Sequence, residues 1–261
     1  MTAFDFRHTR SSRPLQSEFP LHNHSGDELY LYINGNCEYI VEGVTYPLSP
    51  FDLIIISRSE MHRVRHKAMS PYERMVLSVK PEFYAKAGCP EYEKVFTEKK
   101  IGKNSKIGYR QLEQSGLKDA FLRFDKYHKE APRAAALLQG ILIEILHILS
   151  SIDILDDDSD ENPLIAGITE YLTENLSSPL SLDDIADKFY ISKYHLCRIF
   201  KATTGLTVNG YITHKRLMRV KELHADGMKL NPASIEAGFP EYSAFYRAYV
   251  KEFGCNPRSS L

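Results

Sequence analysis

Lys193, Tyr194, Cys197, Arg198 and Lys201 cluster in one short stretch, and helical spacing puts Tyr194, Arg198 and Lys201 on a single face. An aromatic ring, a guanidinium and an ammonium on the outward face of a short helix suit a DNA major groove. The guanidinium can fork onto guanine and the ammonium can neutralise phosphate. Leu196, Ile199 and Phe200 form the inward face of the same helix, and Ser192 is a good N-cap for it. A preceding helix starts at Ser181, with Asp184 placed as in a capping box. Its apolar residues Leu182, Ile185, Ala186 and Phe189 repeat on one side. Tyr190 and Ile191 join the two helices. Taken alone, this segment is equally a helical hairpin with a solvated polar face.

A second copy follows. Gly205 ends the first unit, and Val208 to Ala225 reads as a helix carrying Tyr211, Ile212, Leu217, Val220 and Leu223, closed by Gly227. Asn231 and Pro232 read as a cap and a first helical residue. Gly238-Phe239-Pro240 makes a turn. Ser243 to Phe253 is another short helix, with Phe245, Ala248 and Tyr249 inward, Ser243 and Arg247 outward, and Gly254 at its end. A solvated hairpin seldom repeats with this punctuation, so DNA recognition becomes the stronger reading.

These residues carry a resemblance. Leu182–Ala186, Ser192–Lys201, Thr204-Gly205, Arg216-Leu217, Gly238-Phe239 and the closing Phe253-Gly254 with Pro257 resemble the DNA-binding region of the AraC/XylS family of transcription regulators. The resemblance spans about 100 residues. It implies base contacts by Tyr194, Cys197 and Arg198 in the first unit and by Ser243, Ala244 and Arg247 in the second. Ser192, Lys193 and Lys201 join the DNA-facing set of the first unit. Two departures weaken the second unit. Ala233, Ser234 and Ala237 stand where the family usually has larger apolar residues, and Val250 replaces a phosphate-positioning cation. Cys197 and Ala244 are poor base readers, so the first unit is expected to carry most of the specificity.

Upstream, residues 1–18 read as a polar, partly ordered lead-in. From Phe19 to about Val79 the pattern is β. Glu28 to Ile33 alternates with period two, Leu29, Leu31 and Ile33 on one side and Glu28, Tyr30 and Tyr32 on the other. Turn signals at Asn34-Gly35-Asn36 and Glu42-Gly43 flank a strand at Cys37–Val41, and Phe51–Ile56 and Glu73–Val79 are further strands. Short strands at this spacing suggest a small β-barrel or two-sheet jelly roll. His22-Asn23-His24, Glu28 and Gly35 resemble the first cupin motif, and His62 falls where the second places its histidine; Asp52 replaces the usual glycine. In metal-binding cupins the ligands would correspond to His22, His24, Glu28 and His62, a donor set suited to a divalent transition metal. The same residues serve equally as hydrogen-bonding groups for a small molecule or as packing, and no resident metal or cofactor is assigned. If Glu28 points inward, Tyr30 and Tyr32 line the cavity with it, where hydroxyl-tipped rings suit a sugar. A tyrosine stripe is equally ordinary core. A carbohydrate effector is what the resemblance to such regulators implies.

Between these regions, Gly116–Asp125 and Ala131–Ile152 read as amphipathic helices. Leu137, Leu138, Ile141, Leu142, Ile145, Leu146 and Leu149 make a wide apolar stripe on the second. Its width suggests packing on a second subunit as well as on the barrel; the alternative is that all of it packs within the chain. Asp156 to Asn162 is acidic and reads as a linker. The chain of 261 residues has a formal net charge of -1, so no global basic field attracts nucleic acid. From Pro163 onward 12 basic face 10 acidic side chains, so any DNA-binding charge must be local. Cys37, Cys89, Cys197 and Cys255 are scattered, as expected of reduced thiols in a cytosolic protein. No signal peptide or membrane-spanning run is read.

The expected fold is α+β and multidomain. Residues 1–155 form a cupin-like β-barrel (jelly roll) with dimerisation helices, 156–162 a linker, and 163–261 an all-α domain with two helix-turn-helix units. The leading functional reading is a cytoplasmic, non-enzymatic transcription regulator. It binds double-stranded DNA as a homodimer, responds to a small-molecule effector and engages RNA polymerase if it activates. The competing class is a metal-dependent cupin oxygenase or isomerase tethered to DNA, favoured by the His/His/Glu/His set. A third is a binding module with a vestigial ligand site, set by a partner protein.

Overall fold

The computed structural model describes residues 3–58, 60–154 and 162–260. The chain divides into two compact units, residues 1–161 and 162–261. The acidic stretch expected as a linker lies outside the described residues except for Asn162.

The first unit is built on two sheets. One has five strands in the order β1 (Phe4–Ser11), β7 (Tyr72–Val79), β2 (Asp27–Asn34), β5 (Leu53–Ile56) and β8 (Lys106–Ile107). The other has three, β4 (Val44–Pro47), β3 (Cys37–Val41) and β6 (His62–His66). The alternation read in Glu28–Ile33 is real, and both of its faces are covered. Leu29 and Leu31 join Leu53, Ile55, Met75 and Leu77 beneath a helical layer. Tyr30 and Tyr32 join Tyr39, Val41, Ile54, Ile56 and Val64 between the sheets. Fully burying such side chains stabilises by ~1.5–3 kcal/mol each before entropy is deducted.

The lead-in expected at residues 1–18 is mostly ordered. Phe4–Ser11 is β1, the edge strand, paired antiparallel with β7 from Phe4 opposite Val79 to Ser11 opposite Tyr72. Its polar residues hid it: an edge strand buries one face only, and β7 supplies the backbone partners. Phe6 is buried under the helices, and His8 on the same face reaches Asp125 at 3.0 Å.

The helical layer comprises α3 (Tyr109–Gln114), α4 (Leu117–His128) and α5 (Ala135–Ser150), following the short α1 (Pro81–Lys86) and α2 (Lys94–Thr97). Leu138, Ile141, Leu142, Ile145, Leu146 and Leu149 of α5 are all buried within the unit. The wide stripe that suggested a second subunit is therefore largely consumed by the chain itself. Leu122 and Leu137 stay 42% and 46% exposed.

The second unit is helical. Asn162 caps α6 (Pro163–Glu174), accepting from the Leu164 and Ile165 amides. Then come α7 (Leu182–Lys188), α8 (Lys193–Thr204), α9 (Val208–Ala225), α10 (Leu230–Glu236), α11 (Tyr242–Phe253) and α12 (Pro257–Ser260). Ser181 and Ser192 cap α7 and α8 as read, accepting from the Asp184 and His195 amides. The Asp184 carboxylate takes the Ser181 hydroxyl at 2.6 Å rather than the cap amide. One cap differs: α10 starts at Leu230, so Asn231 and Pro232 lie inside its first turn and Lys229 is the N-cap. No helix of the described residues is long and apolar enough to cross a membrane.

Candidate functional site

His22, His24, Glu28 and His62 converge although they come from three places in the first unit. His22 and His62 are joined directly: each amide donates to the other's carbonyl, at 3.1 and 2.9 Å. This bridge carries the 22–24 segment against the start of β6. The turn before His62 is fixed by Glu60, whose carboxylate accepts from the Ser57 amide, the Gly102 amide and buried Lys99, all at 2.7 Å. Glu28 sits in β2, opposite Ser78 of β7 and Ile56 of β5.

The imidazoles are oriented by backbone. His22 Nδ1 faces the Pro20 carbonyl at 3.0 Å, His24 Nδ1 the Gly26 carbonyl at 2.7 Å, and His62 Nδ1 the Glu60 carbonyl at 2.8 Å. A carbonyl only accepts, so each Nδ1 carries the proton. His24 Nε2 donates to Glu28 Oε2 at 2.9 Å. His62 Nε2 is buried, has no hydrogen-bond partner among the described residues and lies 4.0 Å from Glu28 Oε1. Tyr39 Oη donates to the same oxygen at 3.4 Å, and its ring stacks 6.1 Å from that of His62. Ring centroids of His22 and His24 lie 4.4 and 4.9 Å from that of His62.

Burial sets the charges. Buried His62 is pushed down to about 3 by desolvation, against the pull of Glu28, so it stays neutral with its Nε2 an acceptor buried beside Glu28. Burial would raise Glu28, but the His24 hydrogen bond and the neighbouring imidazoles hold it at about 2. Burial lowers His24, yet Glu28 outweighs it and the net direction is upward. The cluster thus holds a carboxylate with an imidazolium-forming neighbour and one imidazole acceptor.

A cleft of about 530 Å³ opens on this cluster. His22, His24, Glu28 and Tyr39 line one end; Arg7, Thr9, Arg74, Val76 and Ser78 of β1 and β7 line the side, with Glu18, Phe19 and Pro20 at the rim and Val64 beneath. His62, expected there too, is fully buried and is not among the residues that line the cleft. Tyr30 and Tyr32, expected to line it, do not. They are 1% exposed and packed between the sheets. Period two puts them on the face of Glu28, but the three-stranded sheet covers that face. Tyr39 and Arg74 are among the lining residues that sequence reading missed. Tyr39 carried a weak signal as a tyrosine alternating within Cys37–Val41.

In the second unit, Ser192, Lys193, Tyr194, Cys197, Arg198 and Lys201 are all exposed on or beside α8, while Leu196 and Phe200 are buried. Tyr194 is 78% exposed, and Tyr190, in the turn before the helix, is 95% exposed. Tyr190 was read only as a bridging residue. Lys193 pairs with Asp183 at 2.9 Å. Arg198 makes no ion pair among the described residues; Nη2 meets His195 Nδ1 at 3.4 Å. On α11, Ser243 and Arg247 are exposed but engaged with Glu241, Arg247 at 3.6 Å. Ala244 is half-buried against the core of this unit. The two faces are therefore unequal: one presents a free guanidinium, the other a guanidinium beside a carboxylate. The second core is nonetheless tight, with Ala233, Ser234 and Ala237 buried.

A helix-turn-helix domain family matches residues 185–260, and a cupin domain family matches 13–76. The transcriptional activator RhaS of Escherichia fergusonii is 22% identical over 246 residues, spanning 93% of this chain and 87% of RhaS. The regulator YbfI of Bacillus subtilis is 22% identical over 236 residues, 88% of this chain and 82% of YbfI. The chain belongs to the AraC/XylS family. As in that family, a cupin-like unit precedes a DNA-binding unit with two helix-turn-helix motifs. A shorter match, 39% over 77 residues, links it to the activator and DNA repair enzyme Ada of Escherichia coli, covering 30% of this chain and 22% of Ada. Among solved structures, ToxT of Vibrio cholerae aligns over 99% of this chain and 97% of its own at 12% identity, with a TM-score of 0.40. This AraC/XylS chain is a DNA-binding transcription regulator.

Proposed function

We propose that a small polar molecule entering the cleft of the first unit controls DNA binding by the second. Residues 1–155 then act as sensor and 163–261 as the DNA-binding part. The observation that carries this reading is an ionised Glu28 in a cleft open to solvent, lined there by His22 and His24 as well. A carboxylate only accepts, and a ligand hydroxyl would give it a charge-assisted hydrogen bond. A polyhydroxylated compound such as a sugar fits these donors and acceptors. Ser192, Lys193, Tyr194, Cys197, Arg198 and Lys201 would meet DNA first, with Ser243, Ala244 and Arg247 contributing less. Relatives that bear the name activator support RNA polymerase as a further partner in the cytoplasm. Exposed Leu122 and Leu137 would lie in a homodimer contact.

The test is a reporter for induction paired with a gel shift on a selected operator. Glu28→Ala and His62→Ala should each raise the inducer concentration for half-response by at least about tenfold, the worth of one charge-assisted hydrogen bond. Operator affinity should hold within about twofold, since the DNA contacts lie in the other unit. Normal induction in both variants would leave the cluster as packing.

A second reading rests on the donor geometry. The ligand atoms of His24, Glu28 and His62 lie within 4.8 Å of one another, with His22 adjacent. Imidazoles held at Nδ1 by carbonyls, with a carboxylate, fit a divalent transition metal. Such an ion would supply Lewis-acid anchoring for an effector oxygen. Elemental analysis of protein purified without chelator should then find near-stoichiometric metal, lost in His62→Ala. Equal trace metal in both proteins would exclude it. Turnover by metal-loaded protein would instead favour the enzymatic alternative.

A further inference from the structure

Arg74 stands apart from the histidine cluster in the same cleft. It lies on β7 opposite Tyr32 of β2 and Thr9 of β1. Its guanidinium carbon sits 5.0 Å from the ring centre of Phe19, 5.6 Å from that of Tyr72 and 5.8 Å from that of Tyr30. One Nη donates to Tyr72 Oη at 3.2 Å, and that hydroxyl is itself paired with Tyr30 Oη. Nε is buried and has no partner. No carboxylate pairs with this guanidinium among the described residues. Glu18, at the rim, instead accepts from the Leu15 amide at 3.3 Å. The groups around the guanidinium are phenols and the Cys37 thiol, which burial keeps neutral, and the His66 imidazole, lowered by burial and by the guanidinium's charge.

We infer that the effector is a small hydroxy carboxylate, its carboxylate held by Arg74 and a hydroxyl donating to the Glu28 carboxylate. This rests on the reading of the cleft as the effector site and names the chemistry it takes. A guanidinium stacked on aromatic rings, partly out of water and without a counter-charge, lacks an anion; its planar fork matches a carboxylate. The Tyr72 hydroxyl satisfies one of its N–H groups but leaves its charge uncompensated. The other end of the cleft repels a second anion, because Glu28 already supplies one there, and its carboxylate is an acceptor that only a donor can fill. The orientation of the ligand follows. Arg74 lies four residues along β7 from Ser78, the neighbour of Glu28, about 13 Å of backbone, which the long side chain shortens. A sugar acid spans that gap, and the neutral sugar of the same skeleton lacks the group for Arg74.

Calorimetry on the full chain with matched probes tests this: galacturonate against galactose, gluconate against sorbitol, and acetate as the bare carboxylate, at constant ionic strength. At least one hydroxy acid should bind saturably, at least tenfold more tightly than its neutral partner. Arg74→Gln should abolish that preference. Arg74→Lys, which keeps the charge and loses the fork, should retain only part of it, and an unchanged melting temperature in either variant keeps the comparison free of unfolding. Neutral probes binding as well as acids, acid binding unchanged in both variants, or no saturable binding of any acid would each overturn the inference. A gel shift with the same probes separates the two claims. Arg74-dependent binding that leaves DNA affinity untouched sinks the effector reading alone. Neutral sugars that shift DNA affinity while acids do not sink this inference alone.

Discussion

Gly238→Ala should unfold the DNA-binding unit locally or outright. Gly238 follows α10 with φ +97°, a region that L side chains avoid at a cost of about 1–2 kcal/mol. A Cβ there would lie 2.1 Å from the Leu176 carbonyl oxygen and 2.8 Å from Arg216 Nε. Those two atoms hydrogen-bond each other at 2.8 Å, and Arg216 Nη2 also holds the Ser178 carbonyl at 2.8 Å. The Cβ therefore strikes a polar clamp between α9 and the chain after α6, which cannot retreat without losing its hydrogen bonds. Adding the overpacking cost of about 1–3 kcal/mol gives a total centred on about 3 kcal/mol. Hydrogen exchange of amides in α9 to α11 should accelerate by about two decades in the full chain. Gly227→Ala is the control. Its φ is +95°, but nothing lies within 4 Å of the new Cβ, so only the left-handed penalty applies. Equal acceleration in both variants would refute the clamp.

Arg198→Ala should cost about 1–3 kcal/mol of operator affinity, roughly tenfold to a hundredfold, with the loss confined to one base-pair position. Arg198 is exposed on α8 and free of carboxylates among the described residues, so only its long 3.4 Å contact with His195 is given up on binding. Lys201→Ala should instead weaken all sequences alike and lower the salt slope by about one, as a phosphate contact does. Arg247→Ala should lose less than Arg198→Ala, because Arg247 must first leave Glu241. Gel shifts over duplexes varied at each position, at two salt concentrations, separate these effects. Retained specificity in Arg198→Ala would move base reading elsewhere, to Tyr194 of α8 or the exposed Tyr190 in the turn before it.

Local chemistry was legible in the sequence where local chemistry decides. Ser181 and Ser192 cap helices because a side-chain oxygen reaches an amide three residues on, whatever surrounds it. Gly205 and Gly254 end α8 and α11 with φ of +85° and +69° for an equally local reason. Period two separated Leu29 and Leu31 from Tyr30 and Tyr32, and period 3.6 found the buried stripe of α5. The convergence of His22, His24, Glu28 and His62 was legible only through motif resemblance, since no local rule brings His62 to β2.

Tertiary pairing decided the rest. Periodicity gives a side chain's face but not what covers it, so Tyr30 and Tyr32 shared a face with Glu28 yet ended beneath the second sheet. The stripe of α5 gave its width but not its partner, which proved to be the five-stranded sheet and α4. β1 existed as a strand only because β7 offered it a ladder. Arg74 joined the cleft because the β2–β7 register sets it opposite Tyr32 and among three aromatic rings, and that register is fixed by contacts far apart in the chain.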